Sequence, residues 1–363
     1  MAKRIWPEGE ALLIQPKRGR WLRFSLGALL LFVALWGLIW SWVAQYIVQR
    51  RAVDGIVSLD PSSVCIAYDD DWDTNERSRT AWRDVFHHPV HLELPPSVPM
   101  TSAALRDVGA LRKLRDLWIE PEYPLDCSFL RNLTHIENLS IGLHFSACGN
   151  YKRFWRYEDL ATIARLPSLK YLLLSMTDKD LVSLLAVNGL HSLEHLSVRP
   201  GFVLSAGENC EPAFGSGGLH GLRGLTTLRS LDLGFTATTD DSLSSLIGCD
   251  SLKWLFLNDT RIDGRGFACL VRVGRLECIN VVNTKVDDAA LSTLAELKSL
   301  RTLYLYHTRV TESRVNRFQN VRPDVDVVRT GIVLGWPDRR PVDERKAQNR
   351  SSGNRSSGDS IHN

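Results

Sequence analysis

The chain has 363 residues, 44% of them hydrophobic, with 44 basic against 41 acidic side chains and a formal net charge of +3. That length supports a sizeable core, and a charge so close to balance excludes a generally polyanion-binding surface. Seven cysteines without a CxxC or CxxH pair exclude a zinc ribbon and a disulfide-dense framework.

In chain order, residues 1–23 make a basic tail that carries Lys3, Arg4, Lys17, Arg18, Arg20 and Arg23. Residues 24–44 are apolar apart from two serines, enough helix to cross ~30 Å of hydrocarbon, and are expected to form a transmembrane helix. Trp21 stands at one end and Trp40, Trp42 and Tyr46 at the other, where amphipathic rings favour the headgroup level. The apolar run continues past the length of a cleaved signal, so it reads as an uncleaved anchor. Only Arg50 and Arg51 follow it closely, so the positive-inside rule keeps the N-terminus cytoplasmic and the remainder extracytoplasmic at the cell membrane. Gly37 and Ser41 have the small-xxx-small spacing of helix dimers, with lipid-facing filler as the simpler reading, so a homodimer is unsupported.

Residues 45–88 read as a juxtamembrane segment and cap: a short helix over Ala52–Leu59, a strand over Val64–Tyr68 and a segment Ala81–Phe86. The acidic run Asp69, Asp70, Asp71 and Asp73 lacks the glycine and final glutamate of an EF-hand and reads as a solvated loop. His87, His88 and His91 lack an HExxH helix or a carboxylate at ligand spacing, so they read as polar cap residues. Neither a metal nor a cofactor is expected.

Residues 89–328 carry a repeat, opening on a strand at Val90–Leu94. The first leucine of L-x-x-L-x-L falls at Leu169, Leu193, Leu228, Leu252, Leu276 and Leu300, in steps of 24, 35, 24, 24 and 24. A fixed period of this size signals a solenoid. The regular units read LKYLLLSMT, LRSLDLGFT, LKWLFLNDT, LECINVVNT and LRTLYLYHT; weaker copies start at Leu114, Ile136 and Leu193. L-x-L alternation turns Leu255 and Leu257, Ile279 and Val281, and Leu303 and Leu305 to one face of a short strand. A turn follows at Thr177, Thr236, Thr260, Thr284 and Thr308, whose hydroxyls are expected to bond from one coil to the next. Helical returns then turn Leu291, Leu294 and Leu297 inward, with Asp240, Asp263 and Asp287 as N-caps. The pairs Asp240 with Asp241 and Asp287 with Asp288 therefore need no catalytic reading.

These units resemble the leucine-rich repeat family in its Thr-type form, over about residues 89–328. A looser resemblance to bacterial membrane-anchored members rests on the basic tail, the anchor start Arg23 to Leu26, a small cap and Thr-type repeats. The resemblance implies an α/β fold: a curved solenoid with a parallel sheet on the concave face and short helices on the convex face, joined to the one N-terminal transmembrane helix. It also implies partner binding rather than catalysis.

Two candidate surfaces emerge. The outward strand positions toward the carboxyl end include Trp254, Phe256, Asn258, Asn280, Val282, Tyr304 and Tyr306, an aromatic face suited to anchoring a partner or, more blandly, a product of strand propensity. Insertions near 143–156 and 200–217 both follow a strand and so share one rim. The first holds Phe145, Tyr151, Lys152, Arg153, Phe154, Trp155, Arg156 and Tyr157, and the second Phe202, Glu208 and Glu211. Interleaved basic and aromatic residues suit single-stranded nucleic acid, but export and balanced charge argue against that partner. Cys148 and Cys210 fall one in each insertion, where an oxidising exterior permits a disulfide. Cys249 aligns with Val273 and Leu297 and belongs in the core.

The glycine cluster Gly215 to Gly224 fits no phosphate-loop motif, and no nucleophile elbow is present, so the chain is not read as an enzyme. Asn132, Asn138 and Asn258 are sequons. Residues 329–363 read as a cap strand, Gly331 to Leu334, behind a last strand Val325 to Val328, then a disordered polar tail. The expected function is recognition or scaffolding of an unknown protein, peptide or envelope glycan near the membrane; alternatives are an F-box-like substrate adaptor, for which no F-box is recognisable, and a stiff envelope spacer.

Overall fold

A computed structural model describes residues 26–69, 87–121, 125–142, 155–176, 178–187, 189–200, 219–236 and 238–329. Expectations for the basic tail, Asp70, Asp71, Asp73, Ala81–Phe86, most of both insertions with Cys148 and Cys210, Thr177, and everything from residue 330 lie outside these residues. Two compact units result, residues 1–48 and 49–363.

Helix α1 runs unbroken over Leu26–Leu59, 34 residues long. The sequence reading separates an anchor from a cap helix at 52–59, but nothing between them stops a helix. No proline intervenes before Pro61, and Arg50 pairs with Asp54 one turn on. Leu29, Leu30, Leu31 and Phe32 are exposed, and the helix is long and apolar enough to cross a membrane. From Gln49 onward it belongs to the second unit, where Ala52, Val53 and Ile56 join the repeat core. Gln49 donates to the His87 carbonyl at 3.2 Å and its Oε1 lies 2.8 Å from His88 Nδ1. Asp69 holds His87 Nδ1 at 3.1 Å and accepts from the His88 backbone N–H. Both histidines therefore fasten the cap, as the sequence suggests.

Eleven strands follow among the described residues: β1 (Cys65–Tyr68), β2 (Pro89–Leu94), β3 (Asp116–Ile119), β4 (Asn138–Ile141), β5 (Tyr171–Met176), β6 (His195–Pro200), β7 (Ser230–Asp232), β8 (Trp254–Phe256), β9 (Cys278–Asn280), β10 (Thr302–Tyr304) and β11 (Asp326–Val328). They form one sheet in sequence order. β1 is antiparallel to β2, and every later pairing is parallel. One return segment per coil covers the other side: α2 (Ser102–Ala110), α3 (Tyr157–Ala164), α4 (Asp178–Ala186), α5 (Ala290–Leu294) and α6 (Glu312–Val321), with 3₁₀ turns at Cys127–Asn132, His220–Gly224, Asp240–Leu246 and Arg265–Arg272. Tight helix and α-helix occur in coils of the same 24-residue length, as Arg265–Arg272 and α5 show, so both span the same edge of the coil.

The period is enforced by burial. All six first leucines from Leu169 to Leu300 are at most 1% exposed, as are Leu255, Leu257, Ile279 and Leu303. Each such leucine removed from water contributes roughly 1.5–3 kcal/mol. Cys249 is fully buried, donates to the Leu222 carbonyl and has its thiol pushed up to about 11 by burial, as its alignment with Val273 implies.

Two details depart from expectation. The threonine hydroxyls bond within their own coil: Thr236, Thr260, Thr284 and Thr308 donate to the carbonyls of Leu233, Leu257, Val281 and Leu305 at 2.6–2.8 Å. The residue before each of them, Phe235, Asp259, Asn283 or His307, has φ between 53° and 63°, a left-handed turn that the hydroxyl bond secures. Coil-to-coil bonding is made by hydroxyls elsewhere in the coil, such as Thr227 and Ser299, and by aspartates. Asp240 accepts from the N–H groups of Asp263, Gly264 and Gly266 in the next coil at 2.8–3.0 Å. Asp288 likewise accepts from the Thr311 N–H and hydroxyl. Of the three aspartates expected as N-caps, Asp263 and Asp287 act locally, on Arg265 N and Ala289 N. An N-cap and an inter-coil clamp use the same residue type, so sequence alone does not separate them.

Candidate functional site

The parallel register stacks outward side chains into rows. One row runs through Tyr171, His195, Ser230, Trp254 and Cys278, and the next through Ser197, Asp232, Phe256, Asn280 and Tyr304. In the first row the Tyr171 and His195 rings lie 6.3 Å apart. His195 and Trp254 then stack at 6.4 Å although they stand two strands apart, where ~9.6 Å separates backbones. They close over Ser230, which is fully buried and whose hydroxyl has no hydrogen-bond partner among the described residues. Burial holds His195 below its ordinary value of 6.5, Glu194 opposes that shift and Arg229 adds to it, so the ring is neutral at pH 7. Lys253 Nζ sits 5.9 Å from the Trp254 ring centre and 2.7 Å from Glu277, giving this aromatic strip a charged rim.

The second row corrects the sequence expectation. Phe256, Asn258 and Asn280 do leave the outward side of the sheet, but they are 2%, 4% and 0% exposed. Side chains ~4.8 Å apart along each row form a packed layer of their own, so pointing outward does not ensure exposure. Asn280 Oδ1 accepts from the Val282 N–H two residues on, as Asp232 Oδ1 does from Gly234, so both brace strand ends. The Asn258 amide occupies space that Gly234 vacates; a Cβ there would stand 2.8 Å from Asn258 Oδ1. A buried Asn258 is no glycosylation acceptor in the folded chain. Trp254, Val282, Tyr304 and Tyr306 remain half-exposed, with Tyr306 stacked on His307.

Of the loop-rim candidates, Phe145, Tyr151, Lys152, Arg153 and Phe154 lie outside the described residues. Trp155 is a correction: it is 1% exposed and its indole N–H donates to the Ser175 carbonyl at 2.7 Å, plugging the core beside β5. Arg156 is committed to Asp159 at 2.8 Å and Asp126 at 3.2 Å. Tyr157, at the start of α3, is exposed. A polar pocket between the Cys127–Asn132 turn and α3 is lined by the same Arg156, Asp126 and Asp159, so this guanidinium is already matched by two carboxylates. Both insertions leave from the C-terminal ends of parallel strands, β4 and β6, which flank β5.

The Tyr171 and His195 part of the strip was missed by sequence reasoning that looked only toward the carboxyl end. Its signal was present: Tyr171, His195 and Trp254 occupy the same third position of LKY, LEH and LKW.

No protein-family model matches the chain, and no curated protein does. Solved structures do. A leucine-rich repeat protein of Leptospira interrogans is 15% identical with a TM-score of 0.39, over 61% of this chain and 56% of that one. Internalin C2 of Listeria monocytogenes is 20% identical with a TM-score of 0.37, over 66% and 80%. The mouse RP105/MD-1 complex gives 18% and 0.40, over 61% and 39%. This chain thus spans little over half of the Leptospira protein. Its own repeats carry the assignment: with a 24-residue period, stacked leucines, one parallel strand and one return segment per coil, the chain has the fold of the leucine-rich repeat proteins.

Proposed function

We propose that this is a membrane-anchored, non-catalytic recognition protein that binds a protein or peptide on the outward strip Tyr171–His195–Trp254. The observation that carries the reading is the closure of the His195 and Trp254 rings over the buried, unpartnered Ser230 hydroxyl, with Tyr171 continuing the row beyond His195, since aromatic anchors around a desolvated polar group are how interfaces concentrate binding energy. Tyr304 and Tyr306 extend the surface; Phe256, Asn258 and Asn280 support it from beneath. Anchoring through residues 24–44, with the repeats extracytoplasmic, is supported by the length of α1, by Trp42 stacked on Tyr46 near its polar end, and by the basic tail.

The test places a photo-crosslinking residue at position 254 of the full-length chain in cells, with position 271, exposed on the return side, as control. Capture of one defined partner from position 254 alone supports the reading, and Trp254→Ala should then weaken its binding by about 30-fold, roughly 2 kcal/mol. Equal capture from both positions, or none from 254, refutes the strip. Reporter fusions after residue 329 read topology separately; a cytoplasmic signal would overturn the extracytoplasmic placement.

A further inference from the structure

The amino-terminal end of the same sheet holds a different cluster. Strands β1 and β2 pair antiparallel, with Cys65 opposite Glu93 and Ala67 opposite His91. His91 and Glu93 are two residues apart on one strand and so share a face, on which Cys65 joins them, while Leu92 and Leu94 point into the core at 0% and 1% exposure. One donor atom from each of Cys65, His91 and Glu93 lies within 4.8 Å of the other two. Cys65 and Glu93 are exposed and His91 half-exposed, so solvent and ions reach all three. The thiol is in no disulfide.

We propose that Cys65, His91 and Glu93 form a three-ligand site for a divalent ion of the zinc class. Thiolate, imidazole and carboxylate together suit zinc, whereas magnesium and calcium take oxygen alone. Bond lengths of ~2.0–2.3 Å in a tetrahedral site draw ligand atoms to roughly 3.3–3.8 Å of one another. The three side chains reach that by rotating at the surface, without moving the paired backbone. As the ion binds, the Cys65 S–H bond breaks, its proton passes to water and the sulfur–zinc bond forms. With His91 neutral and Glu93 ionised, the site's charges then cancel, and water completes the coordination.

A second observation fits the same reading. His91 Nδ1 lies 3.9 Å from Asp116 Oδ2 on β3, and Asp116 is itself held by the Asn138 amide on β4. At 3.9 Å the contact is not yet a hydrogen bond, but rotation of His91 toward the ion that closed it would place a carboxylate on Nδ1 and leave Nε2 as the metal ligand. The sequence expectation that no carboxylate lies at ligand spacing from His91 overlooks Glu93, two residues on along the same strand. The pairing to Cys65, 26 residues upstream of His91, appears only once β1 folds onto β2.

The test uses the full-length chain in detergent micelles, reduced and stripped of metal, titrated with Co²⁺ and then Zn²⁺. The expected result is one equivalent of Co²⁺ with a near-ultraviolet thiolate-to-cobalt band, displaced by Zn²⁺. Cys65→Ser should abolish the band, and Cys269→Ser should leave it unchanged. Asp116→Asn should weaken binding about 10–100-fold while one equivalent still binds. Far-UV circular dichroism of each variant verifies that loss of binding is not loss of fold. A band that survives Cys65→Ser, or binding without any thiolate band, overturns the proposal.

Discussion

Replacing Asp240 by alanine tests whether aspartates clamp neighbouring coils. Its carboxylate accepts three N–H groups, from Asp263, Gly264 and Gly266, all one coil ahead. A hydrogen bond to a charged acceptor contributes about 1.5–3 kcal/mol, but the three share one acceptor and water can reach part of this half-buried site. We expect a loss of about 3 kcal/mol rather than the sum. At roughly 2–4 °C per kcal/mol for a domain of this size, the unfolding midpoint should fall by about 6–12 °C in calorimetry of the full chain. Because each repeat touches only its neighbours, hydrogen exchange should accelerate first over residues 263–267. Asp241 is the control: it is exposed, adjacent in sequence and makes no such clamp among the described residues. Equal midpoints for Asp240→Ala and Asp241→Ala would refute the clamp and restore the simpler view of both as local caps.

Other outcomes follow from the same geometry. Gly266→Ala should destabilise by about 1–3 kcal/mol, because its Cβ would stand 2.4 Å from the Asp240 carbonyl, whereas Gly274→Ala, with nothing within 4 Å, should be neutral or slightly stabilising by chemical denaturation. Phe235→Gly should raise stability by about 1 kcal/mol, since Phe235 is half exposed at φ 63° and glycine holds that conformation without strain. His195 gives a pH signature. Its folded value lies below 6.5, so as pH falls past 6.5 the unfolded chain takes up a proton that the folded chain refuses, and stability declines. Urea midpoints at pH 7.5 and 5.5 should differ more for the wild type than for His195→Phe; equal differences would remove His195 as the cause.

The core was legible in the sequence because one property, burial, fixes both leucine and its period. Leu252, Leu276 and Leu300 are core residues whatever their neighbours. The cap strand at Cys65–Tyr68 and the last strand at Asp326–Val328 also fell within the spans that alternation suggested. What failed was anything decided by a neighbouring coil. Asp240 looks like a cap and acts 23–26 residues away; Thr260 looks like a coil-to-coil ladder and bonds its own Leu257.

The outward face shows the same limit from the other side. Alternation correctly put Phe256 and Trp254 on the face opposite the leucines, yet only Trp254 is accessible. Its exposure was decided elsewhere: Trp254 leans toward His195 across the small Ser230, while Phe256 lies between Asp232 and Asn280, each folded back onto its own strand end. Side chains 24 and 59 residues away in sequence thus determine which aromatic meets solvent. Alanine at Phe256 should therefore lower stability by about 3–5 kcal/mol through a cavity, and alanine at Trp254 should spare stability and affect binding. Measured together, the two substitutions separate a residue that builds the surface from one that presents it. A Trp254→Ala chain as unstable as Phe256→Ala would mean that the strip is core, and that the partner site must be sought elsewhere.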